Sequence, residues 1–373
     1  MSKKTYNQHK LRKAILYHRA KDLSSILQTS AVVVYLLVIR ISGISEYLSH
    51  AVVRFTVPAA LPLYIGIIGI PLLAILLPFS KREYDIEKRF GLSPQSRRGW
   101  WTDQLKALLL SVVLGYPLLL LLFFLFSRAP RFWWIFAAGG FLLFQLFISF
   151  LFPILVLPIF FKQRKVEDGE LHEGVRRLFT EAGIALEGIY SFNLSEKTKR
   201  ENALVAGLWK TRRVLIGDTL LKNRTIPQII VVVAHEVGHH IKHHMAKLLG
   251  VSVIGTTLIF FALNSIMRLW KGFPADFETA LGLLPVLILV AGLLSIPVMI
   301  GTNAYSRFKE YEADGTAIDL TRDSDAFIAV MMGLAESNLS LMHPSLLKVL
   351  LFYSHPPMGR RIEAAERHNP TGA

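Results

Sequence analysis

The chain contains no cysteine among its 373 residues. Disulfide bonds and thiolate metal ligands are therefore excluded, so any metal site must use histidine nitrogens and carboxylate oxygens. Charged residues are also scarce, at 18% of the chain, and only 27 are acidic against 42 Lys and Arg. Residues 1–22 are polar and basic and lack an apolar core with a small-residue cleavage site, so we expect no cleaved signal peptide.

Charge is absent altogether from several long stretches. A bilayer core of about 30 Å needs ~20 apolar residues per helix, and five uncharged runs are long enough: 55–80, 107–127, 132–161, 248–267 and 279–306. A weaker run, Leu23 to Ile39, contains several polar residues, and we count it as the first span. The sequence predicts a mainly α-helical, polytopic membrane protein with six transmembrane helices, or seven if the metal-binding helix described below also enters the bilayer.

The net charge of +15 is distributed unevenly along the chain. Lysines and arginines concentrate in the N-terminal segment, in the 81–106 loop and between Lys162 and Lys247. The connections at 127–131 and 268–278 carry few. This pattern places the basic segments on the cytoplasmic side. The number of spans agrees with this, because an even number of spans, four before Lys162 and two after it, returns the chain to the same side. An excess of basic residues without a nucleic-acid recognition motif is weak support for nucleic-acid binding, so we expect no nucleic-acid partner.

An apolar run, 229–234, leads into His235-Glu236-Val237-Gly238-His239. Histidines four residues apart on a helix share a face and can bind one zinc ion, while the glutamate between them is placed to act on a zinc-bound water. Thr225 can cap this helix and Pro227 fits its first turn. We therefore predict a zinc helix over 226–246 that holds one Zn²⁺ ion, with the glutamate of the motif as catalytic base.

A catalytic zinc ion with two histidine ligands needs a third protein ligand and one open position. Glu310 and Asp314 share a face of a helix predicted to continue out of the last span. We assign Glu310 as the third ligand and Asp314 as the partner that orients a ligating histidine. Glu312 points away from that face and is predicted to be solvated. Three more histidines are predicted to lie near the membrane surface rather than bind a second metal: His240, His243 and His244.

Between the fourth span and the zinc helix, residues 162–224 form a polar segment that we predict to be a small cytoplasmic insertion. Apolar residues over 171–179 have helical spacing, and Gly183 can end that helix. Residues 188–194 alternate as in a strand, and 203–208 with 213–217 indicate a β-hairpin that turns at 209–211. A strand just before the zinc helix can offer its edge to an extended peptide.

The chain is accordingly divided into two predicted regions. Residues 1–161 form a four-span membrane region with the cytoplasmic loop 81–106. Residues 162–373 form a zinc peptidase region with the insertion, the zinc helix, two further spans and two or three C-terminal helices. Proline disfavours helix at the residue before it, so these helices should break near Pro344 and Pro356.

Peptide hydrolysis through a tetrahedral intermediate also calls for a cation or hydrogen-bond donor aimed at the developing negative oxygen. His355 and Arg361, in the C-terminal proline-rich turn and the helix after it, are candidates. Spacing alone favours a simpler alternative, in which His355 caps a helix and Arg361 binds a phosphate or a carboxylate.

Several separated motifs resemble those of the type I CAAX prenyl protease family, which are integral-membrane zinc metallopeptidases. In family order they are 87–92 with Asp103, 202–207 followed by 213–221, 235–239, 306–314 and 354–361. The resemblance implies a ring of transmembrane helices around a large chamber, with the zinc ion on its cytoplasmic side. It also implies removal of the last three residues after a prenylated cysteine.

The resemblance assigns each matching residue a role. The implied zinc ligands are His235, His239 and Glu310, with Glu236 as base and Asp314 as an outer partner. The implied transition-state stabilisers are His355 and Arg361. Asn202 and Ala203 are implied to belong to the strand that pairs with substrate, although the sequence then continues Leu204-Val205-Ala206 where the family usually has aromatic residues.

Three functions are compatible with these features. The first is a CAAX-type endopeptidase acting near the C-terminus of prenylated or membrane-associated proteins. The second is a quality-control zinc protease of the membrane without a prenyl requirement. The third is a non-catalytic zinc-binding scaffold, which is disfavoured because structural zinc usually has four protein ligands. The expected partners are a peptide or protein substrate and the lipid bilayer. A bacterial plasma membrane is favoured over the endoplasmic reticulum of a eukaryote, and no oligomeric state is predicted.

Overall fold

The computed structural model describes residues 8–167, 169–207, 211–270 and 276–368. The helices, in chain order, are α1 (Gln8–Ile41), α2 (Ile44–Val52), α3 (Val57–Arg89), α4 (Arg97–Arg128), α5 (Trp133–Leu151), α6 (Leu157–Phe160), α7 (Glu170–Glu181), α8 (Asp218–Asn223), α9 (Ile226–Ile241), α10 (His244–Trp270), α11 (Phe277–Gly282), α12 (Leu284–Thr321), α13 (Ser324–Ser337), α14 (Leu346–Phe352) and α15 (Met358–His368). The strands are β1 (Gln163–Lys165), β2 (Gly188–Phe192), β3 (Ala203–Ala206) and β4 (Arg213–Gly217).

Within the described residues, six segments are long and apolar enough to cross a membrane: His9–Ile41, Val57–Arg89, Arg97–Arg128, Trp133–Phe160, His244–Leu269 and Leu284–Thr321. The prediction of a multi-pass protein with six spans is confirmed, and α9 is not among them. The fourth span joins α5 to α6 through a π-helical turn at Phe152–Val156. Pro153 lies in this turn and has no N–H to donate, which accounts for the irregular hydrogen bonding.

The six spans contact one another in a closed ring. α1 packs on α3, α3 on α4, α4 on α5, α5 on α10, α10 on α12, and α12 returns to α1. In the most apolar window of each span, between 6% and 22% of the residues are buried. Helices packed edge to edge in this way have an outer face for lipid and an inner face around an interior space, in agreement with the predicted chamber.

At one end of the ring lies a four-stranded sheet in the order β1-β2-β4-β3. β2 is parallel to β4, and the two edge strands are antiparallel to their neighbours. Alternate residues of a strand face opposite sides, so Ile189, Val214 and Ile216 pack in the core with α7 and α9. Phe192 and Leu215 pack on the other face against Leu157 of α6. The predicted helix, strand and hairpin strands are present, whereas β1 was not predicted; residues 209 and 210 of the predicted turn lie outside the described residues.

The predicted 81–106 loop is too long, because α3 continues to Arg89 and α4 begins at Arg97, which leaves only residues 90–96 between them. Charged contacts attach this 81–106 segment to the same end of the molecule. Glu87 accepts hydrogen bonds from Tyr17 of α1, at 2.6 Å, and from Arg200 of the insertion, at 3.0 Å. Asp103 accepts from Gln95 and from Lys197, each at 2.7 Å. Two residues of the motifs that resemble the CAAX prenyl proteases therefore join the membrane region to the insertion.

The predicted zinc helix over 226–246 is too long. α9 ends at Ile241, where the Lys242 N–H bonds the Gly238 carbonyl oxygen at 3.0 Å and His243 adopts a left-handed conformation with φ 53°. Such a residue interrupts the regular helix, and His244 begins the fifth span. The uncharged run 279–306 is also divided between two helices, because α11 ends at Gly282 and α12 begins at Leu284. The three C-terminal helices α13, α14 and α15 agree with the predicted breaks.

Candidate metal centre

The metal-binding motif lies where α9 packs against α12. Gly238, inside the motif, faces Ala313 of α12: a Cβ atom at Gly238 would lie 3.2 Å from the Ala313 carbonyl oxygen. Glycine therefore permits the two backbones to approach closely. This contact brings the histidines of α9 against the carboxylates of α12.

Three side chains converge at this crossing. The Nε2 atoms of His235 and His239 are 3.2 Å apart, and each is 3.3 Å from an oxygen of the Glu310 carboxylate. His235 and Glu310 are buried and His239 is half-buried. The predicted set of two histidines and Glu310 is thus brought together around one point.

The spacing of the two Nε2 atoms and the Glu310 oxygens, Oε2 beside His235 and Oε1 beside His239, fits a zinc ion. Tetrahedral coordination with bonds of about 2.0–2.2 Å places neighbouring ligand atoms roughly 3.4 Å apart. The observed separations of 3.2 and 3.3 Å are close to that value. Moreover, Oε2 of Glu310 is buried without a hydrogen-bond partner, and a buried carboxylate oxygen normally has one. A cation held between the three side chains would satisfy it.

Behind His235, Asp314 and Arg361 form a buried ion pair. An oxygen of Asp314 lies 2.9 Å from Nδ1 of His235, and Arg361 donates to Asp314 through Nε at 2.8 Å and Nη2 at 2.5 Å. Burial opposes the charged ring of His235, but its hydrogen bond to Asp314 and the nearby Glu310 carboxylate prevail and raise its pKa to about 9. Asp314 thus occupies its predicted place, while the two short bonds of Arg361 are directed to Asp314 and its Nη2 lies 3.4 Å from Nδ1 of His235.

Glu236 follows His235 and is flanked by the insertion. Burial raises the pKa of the Glu236 carboxyl, while nearby His235 and His239 oppose that shift. The Val205 backbone in β3 lies near the carboxylate and favours its charged form. The Val205 carbonyl oxygen lies 3.3 Å from Nε2 of His240. The candidate base therefore lies beside the edge strand of the sheet.

The register of β3 shows which of its groups face the free edge. The Gly217 N–H donates to the Asn202 carbonyl oxygen at 2.9 Å, and Ala203 lies opposite Ile216. Since antiparallel pairs alternate between bonded and non-bonded, the backbone groups of Ala203 and Val205 point away from β4. The Val205 carbonyl oxygen faces His240, and Ala203, although a buried residue, is the other position on this edge whose backbone groups could pair with an extended peptide.

His355 approaches the metal centre from the turn between α14 and α15. Its Nε2 lies 3.4 Å from Oε1 of Glu310, and its Nδ1 lies 2.9 Å from the Ser354 hydroxyl. The side chain is 61% exposed, so it borders the metal centre from the accessible side. Arg361 and His355, predicted together, therefore lie on different sides of Glu310 and His235.

The structure adds detail to the predictions for two neighbouring residues. His244 begins the fifth span, where a position near the membrane surface was predicted, and it is completely buried within the protein with its ring against that of His239. Glu312, predicted to be solvated, is 33% exposed and bonds both His244 and Lys309. Because α10 packs on this side of α12, the face that Glu312 occupies is partly covered.

Comparison with known proteins agrees with this architecture. The sequence profile of peptidase family M48 matches residues 165–369, and the profile described as CAAX prenyl protease N-terminal, five membrane helices, matches residues 2–162. The uncharacterized metalloprotease YhfN of Bacillus subtilis is 28% identical over 342 residues, which cover 88% of this chain and 79% of that protein. CAAX prenyl protease 1 of Saccharomyces cerevisiae is 28% identical over 329 residues, covering 81% and 71%.

A solved structure shares the fold. The crystal structure of S. mikatae Ste24p superposes with a TM-score of 0.86 at 24% identity, covering 98% of this chain and 90% of that one. The membrane ring and the extramembrane region are therefore arranged as in that protein. Because the two profiles together match residues 2–162 and 165–369, the chain belongs to peptidase family M48 and is a membrane metalloendopeptidase of the CAAX prenyl protease family.

Proposed function

We propose that this protein is a zinc-dependent endopeptidase that hydrolyses peptide bonds near the C-terminus of prenylated or membrane-associated substrates. The observation that carries the proposal is the convergence of His235, His239 and Glu310 on one point, with Glu236 next to it. Relatives named CAAX prenyl protease 1, including that of Saccharomyces cerevisiae, support a prenylated substrate.

His235, His239 and Glu310 would hold a single zinc ion and leave one coordination position for the reaction. Bound there, zinc would supply Lewis acidity to polarise the scissile carbonyl and make a water molecule more acidic. Two imidazoles and one carboxylate are a donor set typical of catalytic zinc in peptidases. Asp314 accepts a hydrogen bond from Nδ1 of His235, which leaves Nε2 of that ring available as a ligand.

Glu236 is the proposed general base. Its carboxylate takes a proton from the attacking water and then delivers it to the nitrogen of the leaving amine. The Val205 backbone lies near this carboxylate and favours its charged form, so the base lies beside β3. A substrate paired with the free edge at Ala203 would therefore lie at a set distance from the base, with Asn202 exposed beside it.

His355 is the proposed donor to the oxygen of the scissile carbonyl as negative charge develops there. It is the exposed group next to Glu310, and its ring can turn toward a substrate. Arg361 is assigned a different task from the one implied by family resemblance. Because it is buried and bidentate on Asp314, we propose that it positions Asp314 and, through Asp314, His235.

We further propose that the metal centre faces the cytoplasm. The basic 81–106 segment, the N-terminal half of α1 and the insertion lie at the same end of the ring as α9. Excess Lys and Arg favours the cytoplasmic side. The Bacillus subtilis relative supports a bacterial plasma membrane.

The test is cleavage by the purified, zinc-loaded protein of a farnesylated CAAX peptide and its unprenylated twin. Glu236→Gln is the control, since it should bind zinc normally while losing the 10²- to 10⁴-fold contribution of a general base. We expect the parent to release the last three residues of the farnesylated peptide only.

Other outcomes separate the alternatives. Equal cleavage of both peptides would retain the zinc mechanism but indicate the broader quality-control function. Cleavage that persists in Glu236→Gln would remove Glu236 from the mechanism. Absence of cleavage with either peptide, by protein that binds zinc, would contradict the CAAX assignment.

A further inference from the structure

His244 is a buried histidine that the proposed mechanism leaves without a task. It is completely buried, although it begins a membrane-spanning helix. Both of its ring nitrogens have partners: Nδ1 lies 3.0 Å from Nδ1 of His239, and Nε2 lies 2.9 Å from Oε2 of Glu312. Buried imidazoles with two directed partners have a fixed orientation, so His244 links a residue of the metal centre to a carboxylate of α12.

The backbone is shaped to make this contact. His243 separates α9 from α10 and has a φ of 53°. That left-handed conformation is unfavourable for a non-glycine residue and persists only where the surroundings require it. It ends α9 and starts α10 so that the ring of His244 returns to His239, with ring centroids 5.0 Å apart and planes inclined at 78°.

Metal binding by His239 determines where the protons of this chain of contacts lie. If Nε2 of His239 is the ligand, its Nδ1 carries hydrogen and must donate. The Nδ1 atom of His244 is then the acceptor, so the hydrogen of His244 is on Nε2 and is donated to Glu312. A doubly protonated His244 would donate to His239 instead and would force hydrogen onto the nitrogen needed for the metal.

Glu312 is held as an acceptor by a buried lysine. The Nζ atom of Lys309 lies 3.0 Å from Oε2 and 3.2 Å from Oε1 of Glu312. Lys309 is itself 6% exposed and lies over the Phe308 ring, 4.6 Å from its centroid. A carboxylate fixed by an adjacent ammonium group accepts strong hydrogen bonds.

We propose that His244 is the positioning residue of His239, oriented in turn by Glu312 and Lys309. This rests on the proposed function, in which His239 is a zinc ligand. The two histidine ligands are then supported in parallel, His235 by Asp314 and Arg361, and His239 by His244 and Glu312. Outer partners of ligating histidines fix the tautomer and ring orientation, and their loss costs 10- to 100-fold in metal affinity or activity.

Substitution of His244 by asparagine or glutamine tests its contacts with His239 and Glu312 separately. Asparagine places its Oδ1 near the position of the His244 Nδ1 atom and can accept from His239. Glutamine places its Nε2 near that of His244 and can donate to Glu312 without accepting from His239. We would measure the zinc dissociation constant of full-length protein by competition with a chelating dye for His244→Ala, His244→Asn and His244→Gln. His243→Asn is the matched control, because His243 is exposed and asparagine tolerates a left-handed conformation.

We expect the zinc dissociation constant to rise 10- to 100-fold in His244→Ala and His244→Gln. In His244→Asn and His243→Asn it should remain within about threefold of the parent. Where turnover is measured, kcat should fall in the first two variants with KM nearly unchanged, since His244 does not reach the substrate edge at Ala203.

Two results would overturn the proposal. One is normal zinc affinity in His244→Gln, which would show that acceptance from His239 is dispensable. The other is an equal loss in the asparagine and glutamine variants, which would reduce His244 to a packing role. If His244→Ala does not fold, the zinc affinities of His244→Asn and His244→Gln still test whether His244 must accept a hydrogen bond from His239. Failure of the parent to bind zinc would instead contradict the proposed function.

Discussion

Arg361 and Asp314 form two parallel hydrogen bonds, 2.8 and 2.5 Å long, and the two residues are only 5% and 4% exposed. Oδ1 of Asp314, which accepts from Nη2 of Arg361, is also the oxygen that lies 2.9 Å from Nδ1 of His235, so the fork holds Asp314 against that ring. The pair therefore stands between the C-terminal helix α15 and the metal centre. Its burial makes its disruption costly, because either partner alone would be an uncompensated charge.

Replacement of Arg361 by alanine should destabilise the protein and weaken metal binding. Removing one partner of a buried ion pair costs about 3–5 kcal/mol, and an unanchored Asp314 no longer orients His235. Arg361→Lys should be intermediate, since an ammonium group cannot form the bidentate fork. Thermal unfolding and zinc competition measure both effects, with exposed Arg360→Ala as the matched control. Unchanged zinc affinity in Arg361→Ala would return Arg361 to the direct transition-state role implied by family resemblance.

Removal of the metal should abolish cleavage and lower the unfolding temperature, and zinc should restore both. At 100-fold excess over the dissociation constant, ligand binding stabilises the folded state by about 2.7 kcal/mol. Glu310→Gln should unfold at the same temperature with and without zinc, because its amide replaces the ligating carboxylate. Glu366→Gln, on the exposed side of α15, should respond like the parent. Stabilisation of Glu310→Gln by zinc as large as that of the parent would remove Glu310 from the ligand set.

Residues close in sequence were the predictable part of this site. His235, Glu236 and His239 are recognisable because helical geometry alone places them, and the same holds for the spacing of Glu310 and Asp314. The six spans follow from apolar length in a similar way. Contacts between elements are set by packing, and for them the sequence carries no local signal.

His244 illustrates the limit of prediction from the sequence. Its partner Glu312 is 68 residues away, and the contact depends on the break at His243, where no glycine or proline indicates that a helix ends. Arg361 is 47 residues from Asp314, so spacing left its partner open between a phosphate and a carboxylate. Strand β1 was missed because three polar residues, Gln163 to Lys165, show no alternation.

Replacement of His355 by alanine should lower kcat without loss of zinc. Loss of one donor to a developing oxyanion costs about 10²- to 10³-fold in kcat, and His355 is not among the converging ligand atoms. Single-turnover cleavage and zinc competition on the same preparation measure the two quantities. His368→Ala, on a surface ion pair with Asp319, is the control. A fall in zinc affinity that accounts for the whole loss of activity would contradict the donor role.

Introduction of proline on the free edge of β3 should raise KM for an extended substrate. Ala203→Pro removes a backbone N–H that points away from β4, so the sheet keeps its ladder bonds. One lost hydrogen bond of about 1–1.5 kcal/mol corresponds to roughly a tenfold rise in KM, while zinc affinity should not change.

Lys165→Pro is the matched control for this substitution. Lys165 is exposed on β1, the opposite edge of the same sheet, and there the N–H of Val166 rather than that of Lys165 bonds Ile189. Its backbone N–H therefore also points away from its neighbour, so proline likewise leaves the ladder hydrogen bonds of the sheet intact, without lying near Glu236. An equal rise in KM from both substitutions would mean that the effect reflects the sheet as a whole, and the assignment of β3 as the substrate strand would fail. A rise confined to Ala203→Pro, with kcat retained, would place the substrate backbone on the edge that also holds the base.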